Sequence, residues 1–283
     1  MTEFYQAVLE FPFVRYALLA GILVSMACGI IGTYVVVRRI TYIAGGIAHC
    51  VLGGMGLAGY LQQVHHWSFA HPFLGALAAA LAAAVIIGFV SLKARQREDT
   101  IISALWAVGM AVGVIFISQT PGYNQDLMSY LFGNILMVSG TDLWLILALN
   151  AIIGTVALFF HNQLRAVCFD EEHARIRGVP VEALFILLLC LTALTVVLLV
   201  TVVGIVMVIA LLTIPVAIAG QFTRSLGHMM GLSILLSMGF TTGGLAISYA
   251  PDWPPGAVII LLAGGFYMVV LAAGWLFRRR STS

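Results

Sequence analysis

Residues 38–54 read RRITYIAGGIAHCVLGG: two arginines precede an apolar segment that carries a single histidine. An α-helix rises about 1.5 Å per residue, so His49 would lie roughly 15 Å beyond Arg39, about half of a hydrocarbon core roughly 30 Å thick. An ionisable side chain at this depth is costly unless it faces protein or water. We therefore expect a membrane-spanning helix in which His49 has a functional role.

The composition is typical of a polytopic membrane protein. Of 283 residues, 62% are hydrophobic and 8% charged, and the mean hydropathy is +1.09, which leaves too little polar surface for a soluble globule. Apolar segments fill nearly the whole length, so we expect one membrane domain over residues 1–283. No cleavage site of the signal-peptide type follows the first apolar segment. The formal net charge of +2 gives no support for nucleic-acid binding.

Hydropathy predicts an all-α bundle of about nine membrane-spanning helices. The apolar segment 184–222 is twice as long as one span requires, so we expect it to turn near residues 202–204 and Pro215 to kink or end the second of its helices. Residues 127–138 are too few to span and are interpreted as a re-entrant or interfacial helix. The predicted spans are 13–37, 40–61, 72–92, 100–119, 142–161, 184–222 counted twice, 228–249 and 256–277.

The basic residues predict the orientation of the bundle. With nine spans, every basic cluster falls on one face and Arg15 alone departs from the pattern, which predicts an external N-terminus and a cytoplasmic C-terminus. The four cysteines show no paired metal-binding spacing and are expected to be free thiols. They are Cys28, Cys50, Cys168 and Cys190.

Glycines in the second span are expected to let neighbouring helices approach closely. Gly45, His49, Gly53 and Gly56 follow one another at spacings of four, four and three, so they share one face of the helix. Such a face either receives another helix or borders a passage. The glycines assigned to packing are Gly45, Gly46, Gly53, Gly54 and Gly56.

Residues 169–180, FDEEHARIRGVP, predict a short amphipathic helix in a polar segment on the cytoplasmic side. Asp170 is a suitable N-terminal cap, acidic residues follow in the first turn, and Gly178 and Pro180 provide the stop.

These motifs together resemble the permease family of metal-ion ABC transporters, the membrane subunits of type II-like importers of zinc, manganese or iron. The resemblance covers the chain from about residue 13 to the last span and includes segments 98–100, 131–136 and 169–180. In the first hairpin the residues that match are Arg38, Arg39, Thr41, His49 and Gly54.

The resemblance implies a multi-pass protein of a prokaryotic cell membrane that works by alternating access. It implies three partners: a second permease copy or a related permease, a dimer of cytoplasmic ATPase subunits, and an extracytoplasmic metal-binding protein. No cofactor would be held permanently; the cargo would be zinc first, then manganese or iron. Segment 169–180 would be the coupling helix that meets the ATPase, through Phe169, Asp170, Glu171, Glu172, Ala174, Arg175 and Gly178.

One departure from the family pattern concerns the metal pathway. Where the family commonly has an aspartate four residues before the histidine, this chain has Gly45. His49 alone offers one neutral nitrogen, and two copies around a shared axis would supply two. Cys50 lies about 100° around the helix from His49 and is expected to pack.

Three histidines in the outer loop between the second and third spans, His65, His66 and His71, are a candidate metal entrance. The alternative is that they lie at the membrane interface beside Trp67 and Phe69.

Absent motifs limit the activity. The chain has no phosphate-cradling loop, no two-histidine zinc-protease motif and no nucleophile elbow, so we expect no enzyme activity and expect ATP to be hydrolysed by another chain. One rival hypothesis is a proton-coupled secondary transporter with His49 as the proton site and 162–181 as a linker. A haem-binding subunit would need paired deep histidines, and His49 alone is placed that deep.

Overall fold

The computed structural model describes residues 2–93, 98–121, 133 and 135–281, and these ranges form a helical bundle. A 3₁₀ turn at Ile135–Met137 lies between the fifth and sixth helices. The helices, numbered in chain order, are α1 Thr2–Glu10, α2 Pro12–Val37, α3 Thr41–Val64, α4 Pro72–Lys93, α5 Glu98–Gln119, α6 Gly140–Phe159, α7 His161–Phe169, α8 Glu171–Ile176, α9 Val181–Val203, α10 Ile205–Phe222, α11 Leu226–Tyr249 and α12 Pro255–Ser281.

Within the described ranges, nine helices are long and apolar enough to cross a membrane, which confirms the predicted all-α fold. They are α2 to α6 and α9 to α12. Pro215 does not end α10, which continues to Phe222. The predicted re-entrant helix falls mostly on residues 127–132 and 134, which lie outside the described residues; its end contains the 3₁₀ turn.

The long apolar segment divides at Gly204, where the sequence predicted a turn. Gly204 has φ +78° and joins α9 directly to α10. Gly133, with φ +68°, lies against this turn, and a Cβ on it would meet the backbone of Val203 and Gly204. Both positions have a positive φ, which favours glycine. Gly133 must also lack a side chain, because it lies directly against the backbone of Val203 and Gly204.

Two short helices were not anticipated. Helix α1 precedes the first span and packs on the far end of α11, where the rings of Phe4 and Tyr249 meet edge to face at 5.8 Å. Pro12 then begins α2, because proline fits the first turn of a helix. Helix α7 occupies the start of the cytoplasmic segment, ahead of α8.

Helix α3 lies at the centre of the bundle, between α4, α5, α9 and α10. Its glycines meet the glycines of its neighbours: a Cβ on Gly53 would lie 2.7 Å from the carbonyl oxygen of Gly109, and one on Gly56 would lie 2.8 Å from that of Gly113. A Cβ on Gly54 would meet the carbonyl oxygen of Gly75 on α4. Backbone-to-backbone packing of this kind holds α3 at a defined height against both neighbours.

Candidate functional site

His49 is enclosed within the bundle. It is the ninth residue of α3, about 12 Å from the start of a helix about 36 Å long, which is closer to the Arg38 end than the expected midplane. The residue is 8% exposed, and its Nδ1 atom is buried without a hydrogen-bond partner. A buried polar atom without a partner costs free energy, so the ring is a site that a ligand would stabilise.

Trp106 of α5 covers one face of the imidazole. The two rings are stacked, with centroids 4.4 Å apart and planes inclined by 22°. Trp106 itself is 36% exposed, so its indole lies between His49 and the outside of the chain. Sequence reasoning missed this residue, because one tryptophan in an apolar helix follows no pattern that singles it out.

The indole also occupies the space beside Gly45. A Cβ at this position would lie 3.0 Å from Cζ3 and 3.4 Å from Cη2 of Trp106, and 3.2 Å from Cδ1 of Ile209 on α10. A carboxylate four residues before His49 would therefore displace the tryptophan. In the part of the chain that the structure describes, no three histidine, cysteine, aspartate or glutamate side chains group closely enough to hold a metal ion.

The face of α3 that carries His49 receives another helix. Above His49, Gly53 and Gly56 meet the backbone of α5, and below it a Cβ on Gly46 would lie 2.9 Å from Cγ2 of Ile102. Cys50 is directed to the same helix, since its thiol donates to the Leu105 carbonyl oxygen at 3.4 Å. Within this single chain, the glycine face is packed.

The three outer-loop histidines do not converge. His65 ends α3 beside the ring of Tyr60, His66 has φ +54°, and His71 accepts a hydrogen bond from the Phe73 backbone at 3.2 Å. His71 alone of the three lines a cavity of about 400 Å³, together with Asp142. A joint site of three imidazoles is therefore not formed.

Helix α8, which the sequence places on the cytoplasmic side as an expectation, begins and ends as the sequence indicated. The Asp170 carboxylate accepts a hydrogen bond from the His173 backbone at 2.9 Å, and Gly178 has φ +76° beyond the last turn. Ala174 faces inward and is buried, whereas Ile176 is 84% exposed. Sequence reasoning did not select this exposed apolar side chain.

The other residues assigned to coupling lie around this helix. Phe169 is exposed just before its cap, Glu172 and Arg175 are exposed on it, and Glu171 is half-buried. The exposed side of the segment thus combines apolar groups with charges of both signs, a composition suited to a protein surface.

Arg38 connects the α2–α3 turn to the α7–α8 segment. Its guanidinium donates to the Val167 carbonyl oxygen at 2.6 Å and to the Glu171 carboxylate at 2.7 Å, and it lies over the Phe185 ring. The side chain of Arg38 is only 17% exposed, so these charge-assisted bonds are shielded from water. Arg175 also approaches Glu171, at 3.5 Å, but its side chain is 62% exposed.

A second link joins the same two segments. The Tyr34 hydroxyl and Nδ1 of His161 lie 2.7 Å apart. Cys168, at the end of α7, is partly buried nearby; burial raises the pKa of its thiol to about 11, although the charge of Arg38 acts in the opposite direction. The thiol is therefore neutral and unreactive at physiological pH.

Comparison with known proteins places these features in context. Residues 10–274 match the profile described as the ABC 3 transport family. The chain is 40% identical to a "probable metal transport system membrane protein" of Chlamydia pneumoniae, over 89% of this chain and 86% of that one. It is 33% identical to the manganese transport system membrane protein MntC of Halalkalibacterium halodurans, over 94% and 89%.

A solved structure supports the same comparison. PsaBC from Streptococcus pneumoniae in complex with Fab matches with a TM-score of 0.84 at 30% identity, covering 95% of this chain and 94% of that one.

Proposed function

Because the chain belongs to the ABC 3 transport family, we propose that it is the permease subunit of an ATP-driven importer of divalent transition-metal ions. The observation that carries the proposal is His49, an enclosed imidazole with an unpartnered nitrogen inside a membrane-spanning helix. An ionisable group in such a position is typical of an ion pathway.

The ligand chemistry favours zinc among the cargoes. Imidazole nitrogen suits zinc well, whereas manganese prefers carboxylate and carbonyl oxygens. The carboxylate of the family pattern is missing at Gly45, and Trp106 occupies its place. One relative is named as a manganese transport protein, so we rank manganese second and iron third among the cargoes.

A single imidazole binds a metal ion weakly, which suits passage better than storage. Two copies of the permease would bring two His49 side chains to one pathway. A metal-binding protein outside the membrane would deliver the ion, and the membrane would be the cytoplasmic or inner membrane of a prokaryote.

Energy would come from a cytoplasmic ATPase dimer. Exposed Ile176 and Phe169 offer apolar contacts to a partner surface, and Arg38 would transmit a movement of α8 to the start of α3. Alternating access then follows from tilting α3 and the helices packed on it.

The proton-coupled alternative has less support. The chain matches the ABC 3 transport family over residues 10–274, and ABC transporters are driven by ATP rather than by a proton gradient. Dependence of uptake on ATP rather than on a proton gradient separates the two mechanisms.

The test is His49→Ala in the complex reconstituted in vesicles. Uptake of radioactive zinc should fall by at least roughly tenfold, equivalent to about 1.4 kcal/mol, while assembly with the ATPase is retained. His228→Ala is the matched control, since this histidine is exposed at the start of α11, and its uptake should be normal. Wild-type uptake by the His49 variant would contradict the pathway.

A further inference from the structure

We propose that Trp106 is a movable cover over His49, so that a metal ion reaches the imidazole only after the indole has moved aside. This inference rests on the proposed transport function and identifies a gating residue for it. Nothing in the sequence pattern assigns a role to Trp106.

The indole covers one face of the His49 ring in the conformation observed. The indole is stacked on the imidazole at 4.4 Å, and the same ring fills the space next to Gly45. In this arrangement His49 is 8% exposed, and its Nδ1 atom is buried without a hydrogen-bond partner. A metal ion would supply that partner by approaching Nδ1 in the plane of the imidazole, and this atom is enclosed while the indole is in the observed position.

The backbone of α5 is held in place on both sides of the tryptophan. A Cβ on Gly46 would lie 2.9 Å from Ile102, one turn before Trp106, and a Cβ on Gly53 would lie 2.7 Å from Gly109, nearly one turn after it. Sliding α5 along α3 would break both contacts. Rotation of the indole about its own two side-chain dihedrals uncovers His49 without disturbing either.

The indole has space into which it can move. Trp106 is 36% exposed, and small, exposed residues lie beside it on α5, namely Ser103 and Ala107. The ring therefore reaches the outside of the chain, where an outward rotamer would place it. Burial on one face and freedom on the other are the properties required of a gate.

The test measures access to His49 directly, by modification with diethyl pyrocarbonate, a small reagent that acylates neutral imidazoles. The permease complex is treated in vesicles, and the modification rate at each histidine is read by peptide mass spectrometry. Exposed His228 in the same chain is the internal standard. In the resting complex, His49 should react at least roughly tenfold more slowly than His228.

Trp106→Ala should raise the rate at His49 by roughly tenfold and leave the rate at His228 unchanged. Trp144→Ala is the matched control, because Trp144 is 74% exposed on α6 and lies away from His49. Zinc added to the Trp106→Ala complex should slow the reaction at His49, since the uncovered ring would bind it. Equal rates at His49 with and without the indole would overturn the proposal.

Movement is tested in the wild-type complex during turnover. With ATP, zinc and the binding protein present, the rate at His49 should rise while that at His228 stays constant; a tryptophan that serves only for packing would leave both rates unchanged. This wild-type comparison does not depend on assembly of the Trp106→Ala complex. If that variant does not assemble, Trp106→Phe, which keeps a smaller ring, should give a smaller rise in the modification rate at His49.

The outcomes separate this inference from the proposed function. If His49 is uncovered by Trp106→Ala but His49→Ala transports zinc normally, the pathway is wrong and the cover remains. If His49→Ala abolishes uptake but His49 reactivity stays constant during turnover, the pathway stands and the cover is rejected.

Discussion

At Gly45 the chain carries no side chain, and the indole of Trp106 lies where one would extend. The two residues are complementary: the smallest residue on α3 faces the largest on α5, with His49 stacked on the other part of the ring. In the proposed pathway, an aromatic ring therefore stands where the family pattern has a carboxylate, and an imidazole without that carboxylate would favour zinc over harder cations.

We predict that Gly45→Asp alone destabilises the chain, because its Cβ would lie 3.0 Å from Trp106 and its carboxylate would be buried among apolar groups. The expected loss is about 2–3 kcal/mol, measured by thermal unfolding in detergent.

Adding Trp106→Ala should relieve the clash, so that the double variant is more stable than the sum of the single changes by about 1 kcal/mol. The new carboxylate would lie one turn from His49 and should raise manganese uptake relative to zinc. Strict additivity with an unchanged metal preference would show that the indole does not occupy this space.

The residues of the site were predictable to different degrees. His49 is evident from the sequence because an ionisable group within an apolar helix is costly. Trp106 is not, since its role depends on the register of α5 against α3. Ala174 was assigned to coupling, yet it faces inward and Ile176 outward, because the orientation of a six-residue helix is set by contacts such as Arg38–Glu171.

At the scale of elements, Arg38 connects α3 to α8. From the sequence, Arg38 was expected to be a basic residue at the membrane surface that helps to set the orientation of the bundle. The structure adds two hydrogen bonds from Arg38 to the α7–α8 segment. Arg175 approaches the same glutamate from an exposed position, so the half-buried Glu171 has one largely buried arginine partner and one exposed arginine partner.

We predict that Arg38→Ala lowers stability by about 1.5–3 kcal/mol, the range for hydrogen bonds to charged groups, and reduces zinc-stimulated ATP hydrolysis. Arg175→Ala is the matched control and should change stability by no more than about 0.5 kcal/mol, because exposed pairs contribute little. Unfolding and ATPase assays of both variants provide the measurement. Equal effects would mean that the buried pair is not a mechanical link.

Long elements were predictable and short ones were not. A span needs about twenty apolar residues, and this requirement identified all nine candidate spans within the described ranges. Helices α1 and α7 have nine residues each, which is too short for hydropathy to detect, and both depend on packing against the bundle.

At the scale of the whole molecule, contacts distinguish the two ends of the bundle. Arg38 and Tyr34 hold the α7–α8 segment at one end, and α1 packs on Tyr249 at the other. If all nine candidate spans cross the membrane, α1 and the end of α12 lie on opposite sides of it. The distribution of arginines predicts that the α7–α8 end faces the cytoplasm.

We predict that a cysteine at Gln6 reacts with an impermeant maleimide in right-side-out vesicles and that one at Arg224 reacts only in inverted vesicles. Both side chains are exposed, and the four native cysteines are first replaced. The reverse pattern would place Ile176 outside, where a cytoplasmic ATPase cannot reach it, and would remove the proposed importer. Labelling of both from one side would require an even number of spans between them, so that the seven candidate spans that separate these residues would not all cross the membrane.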